Sequence, residues 1–471
     1  MIDFPAEIRD ALVPTYRGEM VYECVSCAAR HPIEKFAYTC PACGGLLSLR
    51  DLAFDTLKGK TGEFWQRLFA YRALVPEPAS LKGIFRFHEL ILPCVPPEDV
   101  IWLGEGHTPV IPANADLAAS VGAPFFIKYD GLNPSASFKD RGMASAISYL
   151  NHAIRRWGAR NVLGICASTG DTSAAAALYL AYLPKGSVQS VVLLPAGKVT
   201  PQQLSQPLGS GATVIQVPGV FDDCMRIVEE LSRDYQVFLL NSKNPVRING
   251  QKSYAYEVAM DSGWRTADLA VVVPIGNAGN VTAVMEGFLD LLRLGMIPQL
   301  PLVVGVQSRH ANPVYLWRQR GAYEPVKVRS SVAQAAMIGN PVSFPKVRRL
   351  VEEHFRERFA VVEVSEQEIM DAMLTANRHG HVICTQGGEG VAGLAAALRA
   401  GLVEAGMRVV VDSTSHQLKF SDFQQKYFEG SLTADYEVTP RKELQNRPVD
   451  LPASATAIAE YLNLSRRRVS R

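Results

Sequence analysis

The chain has 471 residues, enough for two or three domains and a large buried core. Hydrophobic residues make up 48% and charged residues 20%, which excludes a disordered or fibrous chain. A formal net charge of +2 gives no bulk electrostatic drive toward nucleic acid or a membrane surface.

The opening Met-Ile-Asp-Phe-Pro-Ala-Glu-Ile-Arg lacks the basic-then-apolar pattern of a signal peptide and is too acidic for a transit peptide. No apolar run is long enough to span a bilayer. The eight cysteines do not form a disulfide scaffold, so a reducing cytoplasm is expected. Four of them fall in residues 22–49, as Cys24-x-x-Cys27 and Cys40-x-x-Cys43. Two such turns can surround one Zn²⁺ with four thiolates, which predicts a structural zinc ribbon with a short β-ribbon between the pairs, or else reduced surface cysteines without metal. His31, between the pairs, is expected on the surface rather than on the metal. Glu63 to Leu74 has helical spacing, and prolines punctuate the stretch up to Leu103. Residues 1–103 therefore read as an N-terminal extension, 104–430 as the core, and 431–471 as a tail. Leu103-Gly-Glu-Gly-His-Thr-Pro109 is a turn-rich loop at the entrance to the core.

From Phe125 onward, strands and helices alternate. The strand runs are Phe125–Tyr129, Asn161–Ala167, Ser190–Pro195, Thr213–Val217, Val237–Leu240, Asp268–Pro274, Leu302–Val306 and Arg408–Val411. Met143–Trp157, Thr172–Tyr182 and Phe221–Tyr235 carry helical spacing. Near-continuous Val/Ile/Leu strands joined by helices imply parallel sheets covered on both faces, an α/β architecture. Ligands in such folds sit beyond the carboxyl ends of the strands. After about residue 430 the alternation fades. Ala455–Leu464 can form a short helix with Ser454 near its N-cap, and the basic end, Ser465 to Arg471, reads as a solvated tail rather than a DNA-binding element.

Five strand-end loops carry chemistry. Asn133-Pro-Ser-Ala-Ser-Phe-Lys139-Asp-Arg-Gly142 places a lysine where a helix begins. The macrodipole there disfavours its charge, and a neutral amine is what a Schiff base with an aldehyde cofactor requires. Ala167-Ser-Thr-Gly-Asp-Thr-Ser173 offers small hydroxyls at a helix N-terminus, suited to a carboxylate or phosphate, although Asp171 also reads as an ordinary N-cap. Asn241-Ser-Lys-Asn-Pro-Val-Arg247 through Lys252 gathers cations and small donors that fit a phosphate, or else a plain basic surface loop. Pro274-Ile-Gly-Asn-Ala-Gly-Asn-Val281 forms a nest of N–H groups for a phosphate, or a plain Gly-rich turn. Asp412-Ser-Thr-Ser-His-Gln-Leu-Lys-Phe420 brings hydroxyls that can meet a ring nitrogen. Together they match pyridoxal 5'-phosphate and a small phosphorylated or carboxylated substrate.

On these motifs, from about Leu103 to Phe420, the chain resembles the threonine synthases, and more closely the longer type with an N-terminal extension. Ala136-Ser-Phe-Lys139-Asp is similar to that family's Gly-Ser-Phe-Lys-Asp, which implies that Lys139 is the catalytic, cofactor-bearing lysine with Phe138 beside it. The resemblance places Ser168, Thr169, Asp171 and Thr172 by the cofactor ring and substrate carboxylate. It makes Gly276, Asn277, Ala278, Gly279 and Asn280 the cofactor-phosphate loop, and sets Thr414 on the pyridine nitrogen. Asn241, Ser242, Arg247 and Lys252 resemble the substrate-phosphate site. The implied fold is that of tryptophan synthase β, fold type II, with two open parallel-sheet subdomains. The implied reaction converts O-phosphohomoserine and water to threonine and phosphate. The family expectation is a homodimer. Three departures stand out: Ala136 for Gly, Gln417 for Gly, and Cys384-Thr-Gln-Gly-Gly-Glu-Gly390 for a Cys-Pro-His-Thr-Gly loop. The alternatives are a cysteate-synthase-like β-replacement on a phosphorylated amino acid, a threonine dehydratase, and a non-catalytic binding protein that keeps the fold.

Overall fold

The computed structural model describes residues 4–75, 78–168, 170–196, 201–219 and 221–465. Among the described residues, thirteen strands form three sheets: β1 (Met20–Cys24), β2 (Arg30–Pro32), β3 (Leu47–Asp51), β4 (Val110–Pro112), β5 (Phe126–Tyr129), β6 (Val162–Ala167), β7 (Val188–Pro195), β8 (Thr213–Val217), β9 (Val237–Leu239), β10 (Leu269–Pro274), β11 (Leu302–Ser308), β12 (Phe359–Val364) and β13 (Arg408–Ser413).

The two expected parallel-sheet units are present. One has six strands in the order β12-β11-β10-β13-β5-β4, parallel except for the antiparallel edge pair β4–β5. The other has four parallel strands in the order β8-β7-β6-β9. Every residue of β10 and β11 is buried, as expected for strands covered on both faces. The helix Thr385–Arg399 lies on this sheet, and Gly387, Gly390 and Gly393 let it approach. A Cβ at Gly390 would stand 2.8 Å from a Val411 methyl, and one at Gly393 2.2 Å from a Val306 methyl. The altered loop after Cys384 is thus the first turn of a helix pressed against β13.

β12 and the helix Glu366–Arg378 went unrecognised in the sequence. The signal was there: Phe-Ala-Val-Val-Glu-Val is followed by Ser365-x-x-Glu368, which forms a full capping box. Residues 4–103 do not build a core of their own. Ile8, Met20, Tyr22, Phe69 and Phe85 belong to the same buried cluster as Met143, Tyr149, Phe238 and Phe288. The intervening ribbon is a three-stranded antiparallel sheet, β2-β1-β3, so β1 and β3 flank the cysteine pairs instead of lying between them. The C-terminal helix is Ala455–Tyr461, with Ser454 as its N-cap. Among the described residues, no helix is long and apolar enough to cross a membrane.

Candidate active site

Lys139 opens the helix Lys139–Arg156, and its amine lies 3.9 Å from the Phe138 ring centroid. The turn before it is held by the end of β13: Phe138 N–H donates to Thr414 O (2.8 Å) and His416 N–H to Ala136 O (3.0 Å). Ala136 has φ +65°, the left-handed region that favours glycine, so the departure from the family motif falls where the backbone asks for Gly. Burial is the main cause that lowers the Lys139 amine to about 7; the Arg247 charge adds to it, while Asp171 and Asp412 oppose it. The sequence pointed to the macrodipole. In the structure, desolvation and a neighbouring guanidinium do most of the work.

Two residues on, Arg141 pins this helix start to the body. It is fully buried, and its guanidinium donates to Asp130 (2.7 and 2.8 Å), Glu257 (2.8 Å twice), Ser253 (3.1 Å) and Thr108 (3.0 Å). Lys128 reaches Glu257 at 2.9 Å from the other side. Fully satisfied buried networks of this kind fix a unique geometry.

The loop after β10 turns sharply at Ala278, φ +60°, and starts the helix Gly279–Arg293. Gly276 sits against Ala335 O and Ala336, at 3.1 Å from a hypothetical Cβ, and Ser343 N–H donates to Asn277 O (3.0 Å). Asn280 donates to Asp412 (2.8 Å), which joins this loop to β13. The Oγ atoms of Ser137, Ser343, Ser413 and Ser415 are buried without a protein partner among the described residues. A helix N-terminus with unspent hydroxyls, set beside a depressed lysine, fits an aldehyde cofactor with a phosphate tail. Thr414 lies at the end of β13 and is buried, with its carbonyl spent on Phe138.

The predicted substrate residues divide. Arg247 is 2% exposed; one guanidinium nitrogen donates to Leu240 O (2.8 Å), and Nε has no partner. No carboxylate pairs with it among the described residues, and burial pulls it down to about 10. Asn241 spends its side chain on β6, accepting from Ala167 N–H (2.9 Å) and donating to Ala167 O (2.5 Å). It locks the ends of two strands together, so an anion can reach only what these bonds leave over. Lys252 does not join Arg247: it pairs with Asp290 (2.7 Å) in a charged cavity beneath the ribbon, lined also by Glu23, Glu286 and Lys346. Ser242, in its loop, and Thr172, in the first turn of its helix, are half-buried, and Ser168 Oγ accepts from Gly170 N–H (3.3 Å). Thr169 lies outside the described residues. Asp171 is the first helical residue, with Gly170 as the N-cap, and it pairs with Lys419 (3.0 Å). Lys419 also donates to Ser135 O (2.8 Å), a bridge that sequence reasoning passed over.

The sulfurs of Cys24, Cys27, Cys40 and Cys43 lie within 4.8 Å of one another, with close pairs at 3.4 to 3.7 Å. Tetrahedral Zn–S bonds of about 2.3 Å would put sulfurs about 3.8 Å apart, so the four fit one Zn²⁺. His31 is half-buried and stands outside the four-sulfur group, with its Nε2 3.3 Å from Cys40 Sγ. All eight cysteines are free.

Residues 101–414 match the family described as pyridoxal-phosphate dependent enzyme. Threonine synthase 2, chloroplastic, of Arabidopsis thaliana is 34% identical over 429 residues, covering 89% of this chain and 79% of the relative. The threonine synthase of Methanocaldococcus jannaschii is 34% identical over 407 residues, covering 86% and 94%. Among solved structures, the fold is similar to threonine synthase from Escherichia coli, with a TM-score of 0.65 at 21% identity over 94% of this chain and 99% of that one.

Proposed function

Because the chain belongs to the threonine synthase branch of the pyridoxal-phosphate dependent enzymes, we propose that it converts O-phosphohomoserine and water to L-threonine and phosphate. It is a pyridoxal-phosphate dependent carbon–oxygen lyase of threonine biosynthesis. The observation that carries the substrate is Arg247: a buried guanidinium with an unpaired Nε and no carboxylate partner among the described residues, close enough to Lys139 to lower its amine. A phosphorylated substrate supplies the missing anion.

Lys139 would hold the cofactor aldehyde, Gly276 to Asn280 its phosphate, and Thr414 its ring nitrogen. When bound, pyridoxal phosphate supplies the electron sink for bond breaking at the α- and β-carbons. The Lys139 amine, at about 7, takes and returns protons near neutrality. Arg247, with Ser242 in the loop before its helix, receives the substrate phosphate and holds it through departure. The Ser168 loop and the helix starting at Asp171 face the substrate carboxylate. Lys419, bridging Ser135 and Asp171, holds the two sides of the site together. Free thiols throughout support a reducing, cytoplasmic setting, and the family supports a homodimer.

Holoenzyme is incubated separately with O-phosphohomoserine, O-phosphoserine and threonine, and phosphate, threonine and 2-oxobutyrate are measured. Threonine and phosphate from O-phosphohomoserine are expected. Turnover of O-phosphoserine alone would make it a β-replacement enzyme instead, and 2-oxobutyrate from threonine alone a dehydratase.

A further inference from the structure

The cysteine-rich ribbon reaches the four-stranded sheet through Tyr38 and Phe36. Tyr38 lies between β2 and Cys40, and its hydroxyl donates to Val237 O (3.1 Å) and accepts from Leu239 N–H (2.8 Å). β9 is an edge strand. On its paired side, Leu163 N–H donates to Gln236 O (2.9 Å) and Leu240 N–H to Ile165 O (2.8 Å). Residues 237 and 239 therefore turn their backbone groups outward, where a further strand would pair with them. A single phenol takes both. Phe36 packs edge-on against Phe238 (4.9 Å between ring centroids) and keeps this loop in place.

The residues that Tyr38 braces lead directly into the anion loop. Leu239 O accepts from Asn244 Nδ2 (2.8 Å), and Leu240 O accepts from the Arg247 guanidinium (2.8 Å). The strand whose free edge the phenol occupies thus also sets where the guanidinium stands.

We propose that Tyr38 is a positioning residue for the substrate phosphate: by bonding the open edge of β9 it fixes the Arg247 guanidinium, and so makes the ribbon part of substrate recognition. This rests on Arg247 being the phosphate's partner, as proposed above. Without the hydroxyl, two backbone groups at the edge lose their partner and β9 gains freedom along its axis. Arg247 then meets the phosphate less preorganised, which weakens binding more than chemistry.

Tyr38→Phe tests this, since it keeps the ring and removes only the hydroxyl. In the holoenzyme, KM for O-phosphohomoserine and Ki for inorganic phosphate should rise about threefold to tenfold together, the equivalent of one or two hydrogen bonds. kcat should stay within about twofold, and the visible absorbance of the bound cofactor should not change. Arg247→Ala is measured alongside, and Tyr38→Phe should add little in that background because both act on one contact. If Arg247→Ala leaves KM and Ki unchanged, the phosphate assignment falls and takes this inference with it. If Arg247→Ala raises them while Tyr38→Phe does not, only the inference is overturned. A lower melting temperature with unchanged KM and Ki would make Tyr38 a merely structural brace and likewise overturn it. Phe36→Leu, which loosens the packing that aims the hydroxyl, should give the same KM-only shift in weaker form; a shift in kcat alone would count against the proposal.

Discussion

Replacing Arg141 by methionine removes a guanidinium while keeping much of its hydrocarbon stem. Six hydrogen bonds are lost: two to Asp130, two to Glu257, and one each to Ser253 and Thr108. Asp130 and Glu257 are 0% and 1% exposed. Glu257 keeps Lys128, but Asp130 loses its one cationic partner among the described residues. Removing one member of a buried pair costs about 3–5 kcal/mol, because the other charge stays behind uncompensated. Burial alone would push the Glu257 carboxyl up; Arg141 and Lys128 outweigh it and hold the group well below the usual carboxylate range. A depressed carboxylate contributes stability that is present above its unfolded value, 4.5, and lost as pH falls below it. The penalty of Arg141→Met should therefore be full at neutral pH and shrink in acid. Denaturant melts of the two proteins at neutral and acidic pH measure this, and Asp130→Asn in the variant should restore part of the loss. A loss under about 1 kcal/mol at neutral pH, or one that does not shrink in acid, would refute the reasoning.

Other outcomes follow from single features of the site. Capture of pyridoxal phosphate by the apoenzyme, read from its visible absorbance, should rise with pH through a midpoint near 7. Arg247→Gln should move that midpoint up, and an unmoved midpoint would exclude the guanidinium as a cause. The sign carries over to stability: below the folded value the apoenzyme bears the cost of a buried ammonium, and that cost fades as pH climbs toward 10.5. Ala136→Gly should stabilise the fold, since a Cβ in the left-handed region costs about 1–2 kcal/mol and the freer unfolded glycine takes back about 0.4–1. A lower denaturant midpoint in Ala136→Gly would contradict the strain. The purified protein should carry about one zinc per chain, and a chelator should lower its melting temperature. A metal-free protein indifferent to chelator would rule out the zinc centre.

The alternation of strands and helices was legible because fully buried parallel strands leave uninterrupted Val/Ile/Leu runs, as in β10 and β11. Lys139 was legible because a lysine at a strand-to-helix turn is electrostatically awkward. What the sequence hid was distance. Lys252 follows Arg247 by five residues, but a change of helix at that point turns it toward Asp290. Asn241 looked like a free donor because nothing local shows that Ala167, 74 residues away, consumes both of its polar atoms. Lys419 stood in a matched motif without a role, since its partners Ser135 and Asp171 lie on other loops. Ala136 and its φ of +65° form the one case where a departure from a motif foretold a local strain.

The assignment of loops to sheets has an evolutionary consequence. Lys139, the Gly276–Asn280 loop and Thr414 follow strands of the six-stranded sheet, whereas Ser168, Asn241 and Arg247 follow strands of the four-stranded one. On the proposed roles, the residues for the cofactor and those for the substrate thus follow strands of different sheets. Under the proposed roles, substitutions in the smaller sheet would change which leaving group is accepted while the cofactor loops of the larger sheet stay as they are. The same division offers a protein engineer a graftable specificity half, bounded by β6 and β9, that can be randomised with Arg247 and Asp171 kept, since both charges act on the Lys139 amine.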